Sequence, residues 1–403
     1  MLCTIATLFL FTGRIHNQYA DFYLQQDRLK DNVESALRLV MTNPTLVSYN
    51  ERKVLDVFGD QQDSVSILKT RWGAFTNWEI SSNWSGSSYT KYFMTGVNFQ
   101  KGEPIALYLT EKDNYLSVSG STLIRGNAYL PKLGVRKAYI EGSGSAQEKM
   151  IDGEKFRSAR LLPKPDSLFI KYLSKWLNGR FNDTDSIMTF EHALQKGFLR
   201  NPFSKRPLIL YSNNDILMDN GLVLEGNILI YSSKSIVVQK NAKLNTCLLF
   251  APVVKFIEGF TGSVQAFASD SMFVEKGCKL KYPAYIGLLN EAFNNCIIKI
   301  EKGASIEGGI FVWQKNKAVH EPYILIEDSA TITGQVFCKG NIELKGTING
   351  SVYCNGFNLR TASSFYENHL LNATINFKKL PKTFAGYDGS LKVNKQNLVQ
   401  CLE

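Results

Sequence analysis

Seven aromatic residues, Trp72, Phe75, Trp78, Trp84, Tyr89, Tyr92 and Phe93, crowd one short stretch of this 403-residue chain. Ring faces of this kind stack on sugars, and Trp72, Trp78, Trp84 and Tyr89 are the candidate carbohydrate-stacking residues. Aromatic side chains also dominate cores, so covering a helix or filling a small sheet is the expected role of the stretch. Carboxylates recur as well: Glu275, Glu301 and Glu327 hold one repeat position, beside Lys276, Lys302 and Asp328. Glycoside cleavage needs two carboxyl groups across a cleft, whereas a solvated charged face accounts for this ladder without chemistry. His320 is the one histidine between Leu208 and Ser364. It precedes Glu321 and Pro322, and a surface loop is its expected setting.

The remaining chemistry is defined by what is missing. The four histidines (His16, His192, His320 and His369) lie far apart, and none of the seven cysteines forms a C-x-x-C pair. No metal and no cofactor are therefore expected. Dinucleotide, Walker, H-E-x-x-H and G-x-S-x-G signatures are absent, and no nucleophile can be matched with a base. Cys338 and Cys354 fall at equivalent repeat positions and are expected to be two packed thiols, with a bridge between neighbouring coils as the alternative. The net charge of +10 favours acidic partners such as anionic lipid or acidic polysaccharide. The basic residues are scattered in ones and twos (Lys132, Arg136, Lys137; Lys205, Arg206; Lys378, Lys379), so nucleic acid is not an expected partner.

The elements that must position these groups are legible as repeats. Val238–Leu244, Val274–Leu280, Ile300–Ile306 and Ile326–Ile332 align without gaps. A second pattern, Ile306-Glu-Gly308, Ile332-Thr-Gly334 and Ile348-Asn-Gly350, has an earlier copy at Ile124-Arg-Gly126, and Ile151-Asp-Gly153 begins another. Alternating inward apolar and outward polar residues, with glycines at corners, predict short stacked strands. The expected fold is mainly β: an irregular β-solenoid with a helical insertion, preceded by a long N-terminal helix and a small β region.

Residues Met1 to Gly13 form an uncharged apolar run, short for a membrane span, which needs about 20 residues. The expectation is an anchor whose true start lies upstream. Ile15, Tyr19, Phe22, Gln26, Leu29, Val33, Ala36 and Val40 then form a heptad seam that Pro44 ends. Packing on the chain's own body is the preferred role of that seam, with a coiled coil as the alternative. The expected organisation is an anchor over 1–13, a stalk helix over 14–43 and an aromatic-rich β region over 44–115. First solenoid coils over 116–165, a helical insertion over 166–206, the main solenoid over 207–362 and a cap over 363–403 follow.

The repeats over roughly Leu222 to Leu359 resemble those of bactofilin-type polymer-forming proteins, which implies end-to-end self-assembly. The apolar helix running into an amphipathic stalk resembles type IV pilins and pseudopilins, although the acidic residue and processing site of that family are absent. Ile300, Ile306 and Val312, like Ile326, Ile332 and Cys338, also fit the six-residue spacing of hexapeptide acyltransferases. Taken whole, the chain resembles bacterial envelope proteins with an anchor, a β region and an irregular solenoid. The function expected is that of a non-enzymatic structural or binding protein of the bacterial cell envelope. It is held by a single-pass N-terminal anchor with an extracytoplasmic body, and its partners are the membrane and an envelope polysaccharide or copies of itself. The alternatives are a pseudopilin-like component of a secretion or appendage machine and a carbohydrate-active enzyme on a β-helix.

Overall fold

The computed structural model describes residues 2–59, 63–99, 103–182, 185–219, 221–291, 296–315, 321–387 and 395–402. The chain is mainly β and divides into two compact units. The smaller holds helix α1 (Leu2–Thr42) and an antiparallel meander of Arg52–Leu55, Ser64–Trp72, Phe75–Trp84 and most of Ser87–Asn98, with Gln396–Leu402 added. The heptad seam is split by its surroundings. Leu29, Val33, Ala36 and Val40 are fully buried, and Val33, Ala36 and Val40 pack with Val65, Ile67, Trp78, Ile80 and Phe93, so this part of α1 packs on its own sheet. Tyr19 and Phe22 stand exposed, as do Leu8, Phe9, Leu10 and Phe11. No described helix is long and apolar enough to cross a membrane.

The larger unit is built on a 21-stranded sheet whose pairings are parallel apart from one short antiparallel contact of Phe365–Glu367 with Thr347–Arg360. The glycine-containing pattern sets its register. Leu280, Ile306, Ile332, Ile348, Ile375, Ile124 and Ile151 are successive partners across neighbouring strands. The glycines two positions on are required by close approach. A Cβ on Gly334 would overlap the carbonyl oxygen of Gly308, and one on Gly350 that of Gly334.

The stacking order departs from chain order. Ile105–Leu109 pairs with Val352, Tyr353 and Cys354, and Asn127–Leu130 pairs with Ile105–Leu109 in turn. Lys155–Arg157 then follows on Asn127–Leu130. The early copies at Ile124 and Ile151 therefore lie beyond the last C-terminal strand instead of before Leu208. Ile105–Leu109, expected in the aromatic-rich region, and Thr374–Asn376, expected in the cap, are both rungs of the parallel sheet.

Two columns show how the sequence holds this sheet together. Leu210, Ile230, Leu249, Ala266, Ile286, Ile310, Val336, Val352, Leu107 and Ala128 are register partners, all but fully buried. One residue further, on the opposite side of the sheet, stand Tyr211, Tyr231, Phe250, Phe267, Gly287, Phe311, Phe337, Tyr353, Tyr108, Tyr129 and Phe156. Neighbouring rings stack, with centroids 5.2 Å apart for Phe250 and Phe267, 5.6 Å for Phe311 and Phe337, and 5.7 Å for Tyr353 and Tyr108. At the one break, a Cβ on Gly287 would run into the Phe267 ring. Tyr285, on the same side of its strand, supplies the missing ring 6.5 Å from Phe267.

The segment expected as a helical insertion contains helices α2 (Ser167–Leu177) and α3 (Phe190–Lys196) and two short strands, Ser186–Thr189 and Phe198–Asn201. It leaves the sheet at Arg157 and rejoins it at Ser186–Thr189, which pairs with Leu208–Ser212 at the far end. Eleven steps of about 4.8 Å put those ends roughly 53 Å apart. Along the way Phe169 meets Phe311 edge-on at 5.2 Å, Trp176 lies 6.1 Å from Phe250, and Phe181 meets Tyr231 at 5.3 Å. The strap thus runs down the aromatic column and shields it from water, which for rings of this size is a large share of the burial energy.

Candidate functional site

Helix α2 is amphipathic in two directions. Asp166 caps its start by accepting from the Leu168 N–H at 3.0 Å. Phe169, Leu173 and Leu177, spaced by four, are buried toward the aromatic column. Ser167, Ile170, Lys171, Ser174 and Lys175 recur at helical spacing on another face and line a groove of about 830 Å³. The opposite wall is the sheet, one alternation beyond the aromatic column: Trp313, Lys339, Asn355 and Thr110 follow two residues after Phe311, Phe337, Tyr353 and Tyr108.

Among the described residues, eight Lys and Arg side chains and two carboxylates line this groove. Glu321 pairs with Lys112 at 3.4 Å, and Glu291 with Lys315 at 3.5 Å. Arg160 reaches Asp113 at 3.4 Å, where both side chains are largely exposed and the contact is weak. Lys164, Lys171 and Arg180 have no carboxylate partner among the described residues. Lys339 is half-buried; its Nζ donates to the Gln314 carbonyl at 2.7 Å and sits 4.4 Å from the Trp313 ring centroid. Burial pulls its pKa below the ordinary lysine value, with the charge of Glu321 acting in the opposite sense. The apolar remainder is Leu161, Leu162, Pro165 and Ile170. Such a surface concentrates positive potential in a concave, partly dry space, which attracts an anion carrying several charges and a ring or apolar face.

The residues singled out from sequence lie elsewhere. Trp78 is fully buried and donates to the Thr95 hydroxyl at 2.8 Å, and Trp72 is 5% exposed, so both rings belong to the interior of the sheet. Trp84 is half-buried with the Arg28 guanidinium 5.0 Å above its ring, and Arg28 also pairs with Asp63. Tyr89 is half-buried opposite Ser82. The structure does not gather these four rings into one open platform. Glu275, Glu301 and Glu327 each follow one of the paired residues Val274, Ile300 and Ile326 at the ends of neighbouring parallel strands. Glu275 and Glu301 are engaged by Lys255 at 2.8 Å and Lys299 at 2.9 Å, as on a solvated charged face. His320 lies outside the described residues. Cys338 and Cys354 are register partners and buried free thiols, and burial pushes both well above the ordinary thiol value. Among the described residues no group of three or more His, Cys, Asp or Glu could hold a metal ion.

No family model, curated protein or solved structure matches this chain.

Proposed function

We propose that this is a binding protein of the bacterial cell envelope. Its parallel strands form an irregular β-solenoid, and its groove along α2 holds a linear acidic polysaccharide. The observation that carries the reading is the lining of that groove: eight cations, two paired carboxylates and the half-buried Trp313. A chain of uronate-type sugars supplies charges at regular intervals and ring faces for an indole. A single-stranded nucleic acid fits less well, because it binds over successive aromatic platforms and, among the described residues, Trp313 is the one aromatic ring lining the groove. The binding is non-enzymatic in this reading, since each carboxylate of the groove already faces a lysine. Exposed Leu8, Phe9, Leu10 and Phe11 favour attachment of α1 to a membrane surface, which leaves the body free on the extracytoplasmic side.

The test is a calorimetric and tryptophan-fluorescence titration of the full chain with oligogalacturonate, neutral oligogalactan and an oligodeoxynucleotide of equal charge. Oligogalacturonate should bind, more weakly as salt rises. Replacing exposed Lys164 and Lys171 by Glu should weaken it at least tenfold with thermal melting unchanged. Equal binding of the neutral sugar, or indifference to the double substitution, would overturn the assignment; tighter binding of the oligodeoxynucleotide would replace it.

A further inference from the structure

The charge of the groove reverses at one end. Ser174 and Glu291 line both the cationic groove and an adjoining cavity of about 370 Å³, whose other lining includes Asp270, Asn290, Ser269 and Asn178 and, among the described residues, no Lys or Arg. Asp270 is half-buried and has no ion pair or hydrogen bond among the described residues. Asn290 is 2% exposed; its Nδ2 donates to the Ser269 carbonyl at 2.9 Å, while its Oδ1 accepts nothing among the described residues. A buried amide oxygen without a donor is costly unless something supplies one, and Asp270, beside it in the cavity lining, is a carboxylate not yet committed to a cation among the described residues.

We infer that this cavity receives a primary ammonium of the groove's ligand, so that the ligand is an acidic glycan with a free amino sugar. The inference rests on the acidic-polysaccharide reading above. A divalent cation is the poorer occupant: calcium takes six to eight oxygens, and no cluster of three acidic or metal-ligating residues exists among the described ones. An ammonium needs about three acceptors, and the oxygen-bearing side chains lining this cavity are those of Ser174, Asn178, Ser269, Asp270, Asn290 and Glu291.

The experiment compares two forms of one uronate–glucosamine oligosaccharide, N-acetylated and with free amines, binding to the full chain by calorimetry. The free-amine form should bind about tenfold tighter. Asp270→Asn, an isosteric change, should remove that preference while leaving affinity for the N-acetylated form and the thermal melt unchanged. Lys164→Glu with Lys171→Glu should weaken both forms alike. Equal affinity of the two forms, or a preference that survives Asp270→Asn, overturns the ammonium site and leaves the acidic-polysaccharide reading standing. Failure of both forms to bind overturns both. Calcium that tightens the N-acetylated form in the parent but not in Asp270→Asn overturns the ammonium site in favour of a metal.

Discussion

The Lys339 ammonium lies 4.4 Å from the centroid of the Trp313 ring while donating to the Gln314 carbonyl oxygen at 2.7 Å. One face of the indole and one donor of the ammonium are therefore committed before any ligand arrives, which orients both groups. Because burial lowers the Lys339 pKa, this cation loses its proton at a lower pH than an ordinary lysine does. Affinity for an acidic oligosaccharide should fall as pH rises through that lowered value. In Lys339→Met the affinity should be about tenfold lower near neutrality, a difference of roughly 1.4 kcal/mol. Its remaining decline should move up toward the ordinary lysine range near about 10.4. Calorimetry across the alkaline range checks this, and an unshifted decline in the variant would remove Lys339 from the site.

The aromatic column should carry stability unevenly along its length. Phe337 is fully buried, 5.6 Å from Phe311 and 6.1 Å from Tyr353. Phe156 ends the column, half-buried, with Tyr129 at 5.0 Å on one side only. Phe337→Ala should cost about 3–5 kcal/mol, through lost burial and the cavity left behind. Phe156→Ala should cost about 1–2 kcal/mol, since only part of its area leaves water. Urea unfolding of the two variants gives the comparison; equal losses would mean that the column does not pack as a continuous stack.

The register of this sheet was legible in the sequence, whereas its stacking order was not, and the reason is physical. Ile124-Arg-Gly126 matches Ile348-Asn-Gly350 because both meet the same local demand, an inward aliphatic followed by a glycine pressed against the next backbone. That demand is identical on either side of a strand, so the pattern cannot say which strand is the neighbour. The stalk helix was legible as far as its buried part, where Val33 to Val40 face a sheet. The groove was hidden for a different reason. Lys112, Lys164, Lys315 and Lys339 are solitary basic residues in separate segments, and they converge only because the strap returns along the sheet. The available signal was the helical spacing of Ser167, Lys171, Ser174 and Lys175 beside the apolar Phe169, Leu173 and Leu177. The concentration of Trp and Tyr between Trp72 and Phe93 drew attention to rings that the small sheet buries or half-buries.

Two glycines test whether backbone conformation or close approach is limiting. At Gly303 the backbone is left-handed (φ +69°) and nothing lies within 4 Å of an added Cβ, so only the conformation is demanding. Asparagine tolerates that region, and Gly303→Asn should change stability by less than about 1 kcal/mol. At Gly334 an added Cβ would overlap the Gly308 carbonyl oxygen in the adjacent strand, a backbone atom that cannot rotate away. Gly334→Ala should therefore cost more than about 4 kcal/mol or prevent folding. Circular dichroism melts of both variants decide it, and a well-folded Gly334→Ala would contradict the tight apposition of these two strands.

Glu111 offers a test of how the strap's departure point is held. It is 7% exposed and accepts the backbone N–H of Lys132 and, at 2.7 Å, that of Asp113. The Lys132 N–H is the main influence holding its carboxyl below the usual value; burial opposes it, and the Asp113 N–H, Arg157 and Arg160 reinforce it. A carboxylate with a lowered folded pKa contributes stability that is fully present above its unfolded value of about 4.3. That contribution is lost as pH falls through the lower folded value. Glu111→Gln keeps the shape but not the charge. At neutral pH the parent should be the more stable by about 1 kcal/mol, the difference between a charged and a neutral acceptor. Below about pH 4.3 the gap should narrow, and it closes once pH has passed the lower folded value, where the parent's carboxyl is protonated and no better an acceptor than the amide. Urea unfolding of both chains from neutrality to about pH 3 gives the two curves. A gap that stays constant across that range would show that the charge of Glu111 is not what holds the turn.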